Sequence, residues 1–368
     1  MMQNRSKQCK KKIIKHFKTM KILFNKKIGV NMKKKNKKKK NFFKFVFKII
    51  IILMFCFIIT FFTLVWLKMK TINYEFVDQA KLQINNNLLY ELEETELENV
   101  SAKEIKDIRN IMLIGNDARE KVNIGARADT IMVLSINPAK KSIKLISLPR
   151  DTYVNIPGRG MDKLNHAYAY GKEKLLINTI NSNFNLKIED YITINFRGLI
   201  ELINEVGGVK LNITESERKY INERSHESYD LTNRAYKNID NAGYVLLDGE
   251  QTLTHARNRT IGNDFIRQER QRTIIQEVIK EFKNLDLGET IGVVKKCLKH
   301  VSTNINIFEY MKVIPSVVAH KEEYSNNIIS TQIPSVRYSS GKKIRGIYYF
   351  VPDKDKAIND FADYIYNK

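Results

Sequence analysis

Four charged residues stand next to three apolar runs of the sequence, and together they have the types that could bind a metal cation. Asp117 follows the first run, Asp129 precedes the second, and Arg150 and Asp151 follow the third. If the runs form strands that go up, down and up, these side chains meet at one edge of a sheet. Two carboxylates there can hold Mg²⁺ through oxygen ligands and waters. In the alternative interpretation, Asp117 caps a turn and Asp129 pairs with Arg127.

Arginines are concentrated in a second segment. Arg257 and Arg259 stand two residues apart at a predicted helix end, and Arg267 and Gln271 follow on the next helix. Apolar residues continue the series at helical spacing, so Arg267 and Gln271 lie on the face that should be buried. A guanidinium there needs a partner. That partner is Asp264 in one interpretation and a bound phosphate, which arginine binds bidentately, in the other.

Several arginines together with a divalent cation suit a pyrophosphate better than a single carboxylate. We expect Arg270 and Arg272 to point elsewhere and to be solvated. His166 and His255 have no further ligand at zinc spacing, so a histidine-centred metal site is not expected. The sequence has no P-loop, GxGxxG or GxSxG motif. Gly207 and Gly208 form one pair, which indicates a helix cap and a tight turn.

The elements that must position these residues follow from the hydrophobic pattern. Strands are predicted at 110–114, 130–136, 142–148, 191–195, 209–213, 328–333 and 344–351. Helices are predicted at 172–184, 196–206, 248–257, 265–284, 307–320 and from 353 onward. The polar segment 215–243 is predicted to be a long loop. The first three strands are apolar on both faces, which predicts helices above and below the sheet. Asn137-Pro138 predicts a hairpin between the second and third strands.

The formal net charge of +23 comes mostly from one end of the chain. Residues 1–48 carry nineteen Lys and Arg and no acid, whereas the other 320 residues carry 44 basic and 40 acidic side chains. The basic end has little aromatic interleaving and no helix-turn-helix pattern, so specific nucleic-acid binding is not expected. The hydrophobic fraction of 43% excludes a wholly disordered chain.

Residues 49–67 are an uncharged run, IIIILMFCFIITFFTLVWL. As a helix the run spans roughly 28 Å, close to the thickness of the bilayer core, so it predicts a transmembrane helix. A buried core helix would keep a polar stripe. A cleaved signal peptide would need a small-x-small site, which the next residues lack. The excess of lysine before the run predicts a single-pass type II membrane protein, with the tail in the cytoplasm, near anionic lipids, and the rest outside.

The predicted organisation is therefore a basic cytoplasmic tail 1–48, a transmembrane helix 49–67, a helical stalk or connector 68–108 and one domain 109–368. The motif-bearing core of that domain is 109–285, and 286–368 complete it. Met32 begins a sufficient tail, MKKKNKKKKNFFKFVF, and we expect translation to start there. Cys297 is the lone cysteine of the external part, so no intramolecular disulfide is expected there.

Seven segments, in this order, resemble the LytR-CpsA-Psr family of cell-wall ligases. They are LIGNDAR (113–119), RADTIMVLSINP (127–138), ISLPRDTYVNIPG (146–158), DKLNHAYAYG (162–171), INFRGLIELINEVGGVKLNI (194–213), LDGEQTLTHARNR (247–259) and NDFIRQERQR (263–272). The resemblance implies a three-layer α/β/α domain with a mixed central sheet and an elongated apolar pocket for a polyprenyl chain.

The resemblance also implies a phosphotransferase. It would move an anionic or capsular glycopolymer from a polyprenyl-pyrophosphate carrier to the C6 hydroxyl of N-acetylmuramic acid in peptidoglycan. Carried over by motif, Asp117 and Asp129 would bind Mg²⁺. The pyrophosphate would be held by Arg150, Arg257, Arg259, Arg267 and Gln271, with Lys163 as a further contact. Asp264 would orient the arginines, and Asp151 is a candidate proton acceptor.

The chain departs from the family pattern at three places. Asn204 stands where the family usually has Asp, Gly171-Lys172 where it often has paired glycines, and His255 where it has an aromatic residue. Other functions remain open at this point. One is a lipid-pyrophosphate pyrophosphatase, another a membrane-anchored transcriptional regulator or attenuator. A third is a protein that binds lipid-linked glycans without catalysis.

Overall fold

The computed structural model describes residues 73–74, 107–117, 127–305 and 314–367, all within one compact unit, Lys70–Lys368. The predicted tail 1–48, the predicted transmembrane helix 49–67 and most of the predicted connector lie outside the described residues. Among the residues that are described, no helix is both long enough and apolar enough to cross a membrane.

A seven-stranded mixed sheet forms the centre of the unit, in the spatial order β1-β10-β7-β2-β3-β4-β11. Its strands are β1 (Asn73–Tyr74), β2 (Arg109–Asn116), β3 (Ala128–Asn137), β4 (Ser142–Ser147), β7 (Asp190–Ile194), β10 (Val301–Thr303) and β11 (Ile328–Gln332). Three two-stranded sheets join β5 (Tyr153–Ile156) to β6 (Gly160–Lys163), β8 (Val209–Ile213) to β9 (Gly243–Leu247), and β12 (Ser339–Ile344) to β13 (Ile347–Pro352). The fold is therefore mixed α/β with a central mixed sheet, as predicted.

The three strands predicted to carry the site run up, down and up. β2 pairs antiparallel with β3, and β3 pairs antiparallel with β4. β4 is buried along its whole length, and its polar residues Ser142, Lys144 and Ser147 are buried together with the apolar ones. The predicted hairpin between β3 and β4 is confirmed, and Lys140 N donates to Asn137 Oδ1 at 3.0 Å in its turn. On the outer sides, β7 runs parallel to β2, and β11 runs parallel to β4.

The helices flank this sheet and the smaller ones. They are α1 (Leu164–Phe184), α2 (Phe196–Glu205), α3 (Glu215–Arg224), α4 (His226–Thr232), α5 (Gly249–Arg257), α6 (Asp264–Phe282), α7 (Leu287–Cys297), α8 (Ile314–Ala319), α9 (Lys321–Asn326) and α10 (Lys354–Ala362). One hydrophobic core joins the sheet to α1 and α10, for example through Met112 and Phe361. A second core joins α2, α5 and α6 to β8 and β9 through Ile203, Leu247 and Ile274.

Two local predictions at helix ends are confirmed. Asp248 and Gln251 form a capping box at the start of α5, in which Gln251 N donates to Asp248 Oδ1 at 3.0 Å. Gly207 and Gly208 have φ of +90° and +95° at the end of α2. Such a left-handed conformation favours glycine, and it turns the chain directly into β8.

The segment 215–243 was predicted to be a loop, and this prediction is wrong. It contains α3 and α4, which are polar helices with few buried side chains. A capping box between Thr214 and Glu217 begins α3. Ile221 is the buried apolar residue of α3, and Tyr229 is that of α4. The apolar spacing was too sparse to indicate these helices, because caps and ion pairs supply part of their stability.

Other element boundaries also differ from the predictions. α1 begins at Leu164 rather than at 172, and its backbone is non-helical at Gly171 and Lys172. The predicted strand 344–351 is a hairpin, β12 and β13, because Arg345 and Gly346 form a turn with positive φ. Two residues of the predicted connector, β1, pair with β10 at the edge of the sheet. Of the predicted helix 307–320, residues 307–313 lie outside the described residues, and α8 covers Ile314–Ala319.

Candidate active site

An apolar cavity of about 620 Å³ lies between the central sheet and α2, α5 and α6. Its apolar walls come from β2, β3, β7 and these three helices, and include Leu113, Met132, Leu134, Ile192, Ile194, Phe196, Leu199, Leu202, Leu253, Ile275 and Ile279. A space of this size and lining suits a hydrocarbon chain rather than a polar metabolite.

One end of the cavity is charged. Six residues predicted to belong to the site line it: Asp117, Asp129, Arg257, Arg259, Arg267 and Gln271. They gather where β2 ends and β3 begins, because antiparallel pairing brings those two strand ends together. The structure therefore places the predicted carboxylates and most of the predicted arginines at one edge of the sheet, directly beside the apolar space.

Asp129 is at the centre of the charged end. Its Oδ1 accepts a hydrogen bond from Arg150 Nη1 at 2.7 Å, and Arg259 Nη2 lies 3.2 Å from Oδ1 and 3.1 Å from Oδ2. Asp129 thus pairs with Arg150 and Arg259, which are distant in sequence. The alternative interpretation, in which its partner is Arg127, is not what the structure shows. One arginine comes from the loop after β4 and the other from the segment after α5, so the carboxylate joins the two halves of the site.

Asp264 holds the second pair of arginines. At the start of α6 it accepts from Arg267 Nε at 3.0 Å and from Arg267 Nη2 at 2.5 Å, while Arg150 Nη2 lies 3.8 Å away. Only 2% of the Arg267 side chain is exposed. Burial lowers the pKa of Arg267, and Asp264 opposes that effect. The acid proposed to orient the arginines therefore contacts two of them.

Arg150 is the residue that connects every acid of the cluster except Asp117. Burial alone would lower its pKa, but Asp264, Asp129 and Asp151 together raise it above the ordinary value. Its Nε lies 3.7 Å from Asp151 Oδ2. Asp151 in turn accepts from Lys163 Nζ at 2.7 Å, so the lysine belongs to the same network.

The last two predicted ligands are held differently. Arg257 lies over the ring of Phe196 at 4.5 Å and 3.8 Å from Glu227 Oε2. Gln271 Nε2 donates one hydrogen to Ala256 O at 3.3 Å, which leaves its second N–H for a ligand in the cavity. The sequence pattern predicts no role at the site for Phe196 or Glu227. Glu227 lies in the segment predicted to be a loop, and Phe196 has no pattern other than that of a helix start.

The expectation that Arg270 and Arg272 are solvated is wrong. Arg270 is buried, and its Nε donates to Glu217 Oε1 at 2.8 Å, while its Nη2 donates to Ile261 O at 2.8 Å. Arg272 donates to the Ser147 hydroxyl at the end of β4. Both arginines therefore fasten α6 to its neighbours, whereas Arg267 on the same helix is turned to the cavity.

The residues at the charged end offer oxygen ligands that suit Mg²⁺, but they do not form a complete coordination shell by themselves. Within the described ranges no group of three or more His, Cys, Asp and Glu is placed to hold a metal. Mg²⁺ commonly takes only one or two carboxylates and completes its shell with phosphate oxygens and water. Asp117 and Asp129 line the cavity, and so does Asn116, whose buried Oδ1 has no hydrogen-bond partner among the described residues. These oxygens fit a hard cation shared with a phosphate.

The model of the LytR_cpsA_psr family matches residues 72–362, which is most of the chain. The chain belongs to this family.

Relatives with established names support the same assignment. The chain is 34% identical to the polyisoprenyl-teichoic acid–peptidoglycan teichoic acid transferase TagU of Oceanobacillus iheyensis, over 69% of this chain and 74% of that protein. It is also similar to a solved structure of TagT bound to LIIa-WTA, with 25% identity, a TM-score of 0.56, and coverage of 73% of this chain and 94% of that one. Its fold resembles that of a TagT structure with bound octaprenyl pyrophosphate lipid, at 24% identity and a TM-score of 0.52, over 71% of this chain and 91% of that one.

Two positions where the chain departs from the LytR_cpsA_psr pattern have their own local partners. Asn204 Oδ1 accepts from Gly249 N at 2.8 Å, and its Nδ2 donates to Glu250 Oε2 at 3.1 Å. His255 is buried beside Glu217 and Arg270, and burial lowers its pKa to about 4. Neither position lines the apolar cavity, so these departures bear on stability rather than on the charged end.

Proposed function

We propose that this protein is a membrane-anchored phosphotransferase. It transfers an anionic or capsular glycopolymer from a polyprenyl-pyrophosphate carrier to the C6 hydroxyl of peptidoglycan N-acetylmuramic acid. The observation that carries the proposal is the direct contact between an apolar cavity and a cluster of arginines and aspartates. A lipid pyrophosphate has the same division, with a hydrocarbon chain attached to a doubly charged head. The name of the TagU relative supports the substrate class.

The apolar cavity would receive the polyprenyl chain. Burial of hydrocarbon in such a space contributes binding free energy in proportion to the apolar area removed from water, about 25 cal/mol per Å². The three helices α2, α5 and α6 form one wall and the sheet forms the other, so the chain would lie between the two layers. Helices pack on both sides of this sheet, which supports the proposal of a three-layer α/β/α arrangement.

The pyrophosphate would take over the arginines that now pair with aspartates. Arg150, Arg259 and Arg267 already converge through Asp129 and Asp264, so their guanidinium groups are held close to where the anion enters. Arg257, Gln271 and Lys163 would add donors around it. Mg²⁺ held by Asp117 and Asp129 would supply further positive charge to the phosphate oxygens. Preorganised cations of this kind stabilise the charge that develops on the departing phosphate.

In the reaction the acceptor hydroxyl oxygen forms a bond to the phosphorus that carries the glycopolymer. The bond between this phosphorus and the bridging oxygen breaks, and polyprenyl phosphate leaves with the electron pair. The products are a phosphodiester between glycopolymer and acceptor, and polyprenyl monophosphate. The hydroxyl proton would go to Asp151, which lies beside Arg150 and accepts a hydrogen bond from Lys163.

The predicted anchor would keep this site next to its substrate. With residues 1–48 in the cytoplasm and 49–67 across the bilayer, the domain would lie outside the cell at the surface from which the lipid carrier is presented. The basic tail would contact anionic headgroups. This topology is the one that an acceptor in the cell wall requires.

Transfer can be tested with labelled lipid-linked glycopolymer, the full-length protein in lipid nanodiscs, and peptidoglycan as acceptor. The expected result is labelled peptidoglycan and polyprenyl monophosphate, formed faster with Mg²⁺ than with a chelator. Release of labelled polymer at the same rate without peptidoglycan would instead identify a pyrophosphatase. Full transfer by a chain that lacks residues 1–31 would exclude a regulatory role of that segment in this activity.

A further inference from the structure

A group of polar and aromatic side chains outside the apolar cavity is centred on Asp162. Asp162 Oδ2 lies 2.8 Å from His166 Nδ1 and accepts from the Tyr170 hydroxyl at 3.2 Å, while Oδ1 accepts from the Tyr349 hydroxyl at 3.4 Å. Partial burial acts to raise the pKa of Asp162, but the hydrogen bond from His166 and those from the backbone and Tyr170 lower it overall. We name these four residues, together with Arg159, the Tyr170 platform.

Tyr170 presents an aromatic ring to solvent in a fixed orientation. Its exposed fraction is 46%, although its hydroxyl donates a hydrogen bond to Asp162. Arg159 lies over the ring at 4.8 Å from its centroid, and His166 packs near its edge at 6.0 Å. A ring that is held in this way loses little conformational freedom when a ligand covers its exposed surface.

The Tyr170 platform is joined to the arginine cluster through Lys163 and Asp151. Lys163 Nζ lies 5.7 Å from the centre of the Tyr349 ring and donates to Asp151, the neighbour of Arg150. Burial and Asp162 raise the pKa of the Tyr170 hydroxyl, while the positive charges of Arg159 and Arg127 act to lower it. Arg127 stands two residues before Asp129 in the sequence. No platform residue is among the described residues that line the apolar cavity. The platform is therefore linked to Arg150 through Lys163 and Asp151 and lies outside the lining of the hydrocarbon space.

The geometry of phosphoryl transfer decides what should bind there. The attacking and leaving oxygens lie roughly in line on opposite sides of the phosphorus. The leaving polyprenyl phosphate would lie toward the apolar cavity, so the attacking hydroxyl would approach the phosphorus from outside that cavity. Asp151, Lys163 and the Tyr170 platform are linked to Arg150 and do not line the apolar cavity, which suits them to contact a group that approaches from outside it.

We propose that the Tyr170 platform binds the glycan strand of the acceptor and so positions the sugar whose hydroxyl attacks, an inference that rests on the proposed function. One face of a pyranose ring presents weakly positive C–H groups, which suit the negative face of a tyrosine ring. Asp162 and the tyrosine hydroxyls offer hydrogen-bond partners for sugar hydroxyls. Arg159 and Arg127 suit the carboxylates of the peptide stems that peptidoglycan sugars carry. The C-terminal hairpin contributes Tyr349, which gives the part of the chain beyond the motifs a role in substrate binding.

The test measures steady-state transfer by the full-length protein in lipid nanodiscs, with undecorated peptidoglycan oligosaccharides varied at saturating donor. Tyr170→Ala should raise the KM for the acceptor about tenfold, equivalent to about 1.4 kcal/mol of binding free energy. The KM for the lipid-linked donor should not change. Tyr170→Phe keeps the ring but loses the hydroxyl, so its acceptor KM should lie between those of the wild type and Tyr170→Ala. Arg159→Ala should raise the acceptor KM, as Tyr170→Ala does. Tyr244→Ala removes an exposed tyrosine from β9 and serves as the matched control.

Each outcome has a separate meaning. An unchanged acceptor KM in Tyr170→Ala, with normal transfer by the wild type, overturns the inference and leaves the proposed function intact. A rise in the donor KM alone also overturns it, because the platform would then hold the donor glycan. If the wild type transfers nothing, the proposed function fails, and calorimetric titration of the same oligosaccharides then decides the inference. Weaker binding by Tyr170→Ala supports the platform in that case, and equal binding overturns it.

Discussion

Arg150 Nη1 lies 2.7 Å from Asp129 Oδ1, so the carboxylate proposed to bind Mg²⁺ is also the main partner of the arginine proposed to bind the pyrophosphate. Arg259 shares the same carboxylate. The side chains of these ion pairs are partly exposed to solvent, so the pairs contribute little to the stability of the fold by themselves. Their effect is to keep the guanidinium groups in place until a stronger anion with its cation replaces the contact.

The first prediction concerns Arg150. Arg150→Ala should lower the rate of transfer about 10²- to 10³-fold, because it removes a positioned positive charge from the site of developing negative charge. The melting temperature should change little, since the side chain is partly exposed and its partners can be solvated. Radiolabel transfer to peptidoglycan, with circular dichroism for folding, checks both. Arg337→Ala, at an exposed arginine outside the site, is the control; transfer near the wild-type rate by Arg150→Ala would contradict the proposed site.

The second prediction separates the two roles of Asp129. Asp129→Asn should abolish the stimulation of transfer by Mg²⁺, whereas Arg259→Ala should leave stimulation in place and lower only the rate. The measurement is a Mg²⁺ titration of the initial transfer rate for the wild type, both single variants and the double variant. If Asp129 only orients arginines, Asp129→Asn will keep its Mg²⁺ dependence, which argues against its being a ligand.

The position of the site could be predicted from the sequence because it depends on strand direction. The short turn between the second and third apolar runs predicts that these strands are antiparallel. With the first strand antiparallel to the second, Asp117 and Asp129 come to the same edge of the sheet. The Arg267 prediction follows in the same way from helical spacing. These features are local, and they need no knowledge of how distant segments pack.

The remaining features depend on contacts between distant segments. Arg270 occupies a position in the α6 sequence that looks exposed, yet α3 covers it with Glu217, and α3 was itself predicted to be a loop. The cavity forms because three helices cover one face of the sheet and leave a space between themselves and the strands. The hydrophobic pattern of one segment does not predict that distance. The Tyr170 platform likewise joins β6 and α1 to β13, nearly two hundred residues later in the chain.

The third prediction concerns Asn204, where the family usually has Asp. In this chain its Nδ2 donates to Glu250, whose side chain is fully buried and also binds Arg234 at 2.9 Å. Asn204→Asp would place two carboxylates together and lose a donor, so it should lower the free energy of unfolding by about 1–3 kcal/mol. Urea denaturation measures this change. The double variant with Glu250→Gln should recover part of the loss, and a loss that Glu250→Gln does not reduce would show that repulsion is not the cause.

The fourth prediction uses the break in α1. Lys172 has φ of 51° and ψ of −147°, a conformation that is essentially restricted to glycine. Lys172→Gly should therefore raise the free energy of unfolding by about 1 kcal/mol. Lys174→Gly, two residues later in regular helix, should lower it by a similar amount, about 1 kcal/mol. Thermal unfolding of the two variants checks the contrast in sign, and destabilisation by both would mean that the Lys172 backbone carries no strain.

The fifth prediction is a dependence of stability on pH that comes from His255. Burial lowers its pKa to about 4 in the folded protein, against the ordinary value of 6.5, and the positive charge of Arg270 acts in the same direction while Glu217 opposes it. Between these two pH values the unfolded chain binds a proton that the folded protein does not, so stability falls as the pH falls from 6.5 to about 4. The contribution is at most about 1.4 kcal/mol per pH unit.

His255→Phe removes this proton and also the buried Nδ1, which has no hydrogen-bond partner within the described ranges. The variant should therefore lose less stability than the wild type between pH 6.5 and pH 4.5, as measured by urea denaturation at each pH. Glu217 is acid-sensitive in both proteins, because Thr214 and Arg270 lower its pKa against the effect of burial. His255 lowers that pKa as well, so the difference between the two proteins reports the histidine together with its effect on Glu217. Parallel stability curves for the two proteins would mean that His255 binds its proton equally well in the folded and the unfolded states.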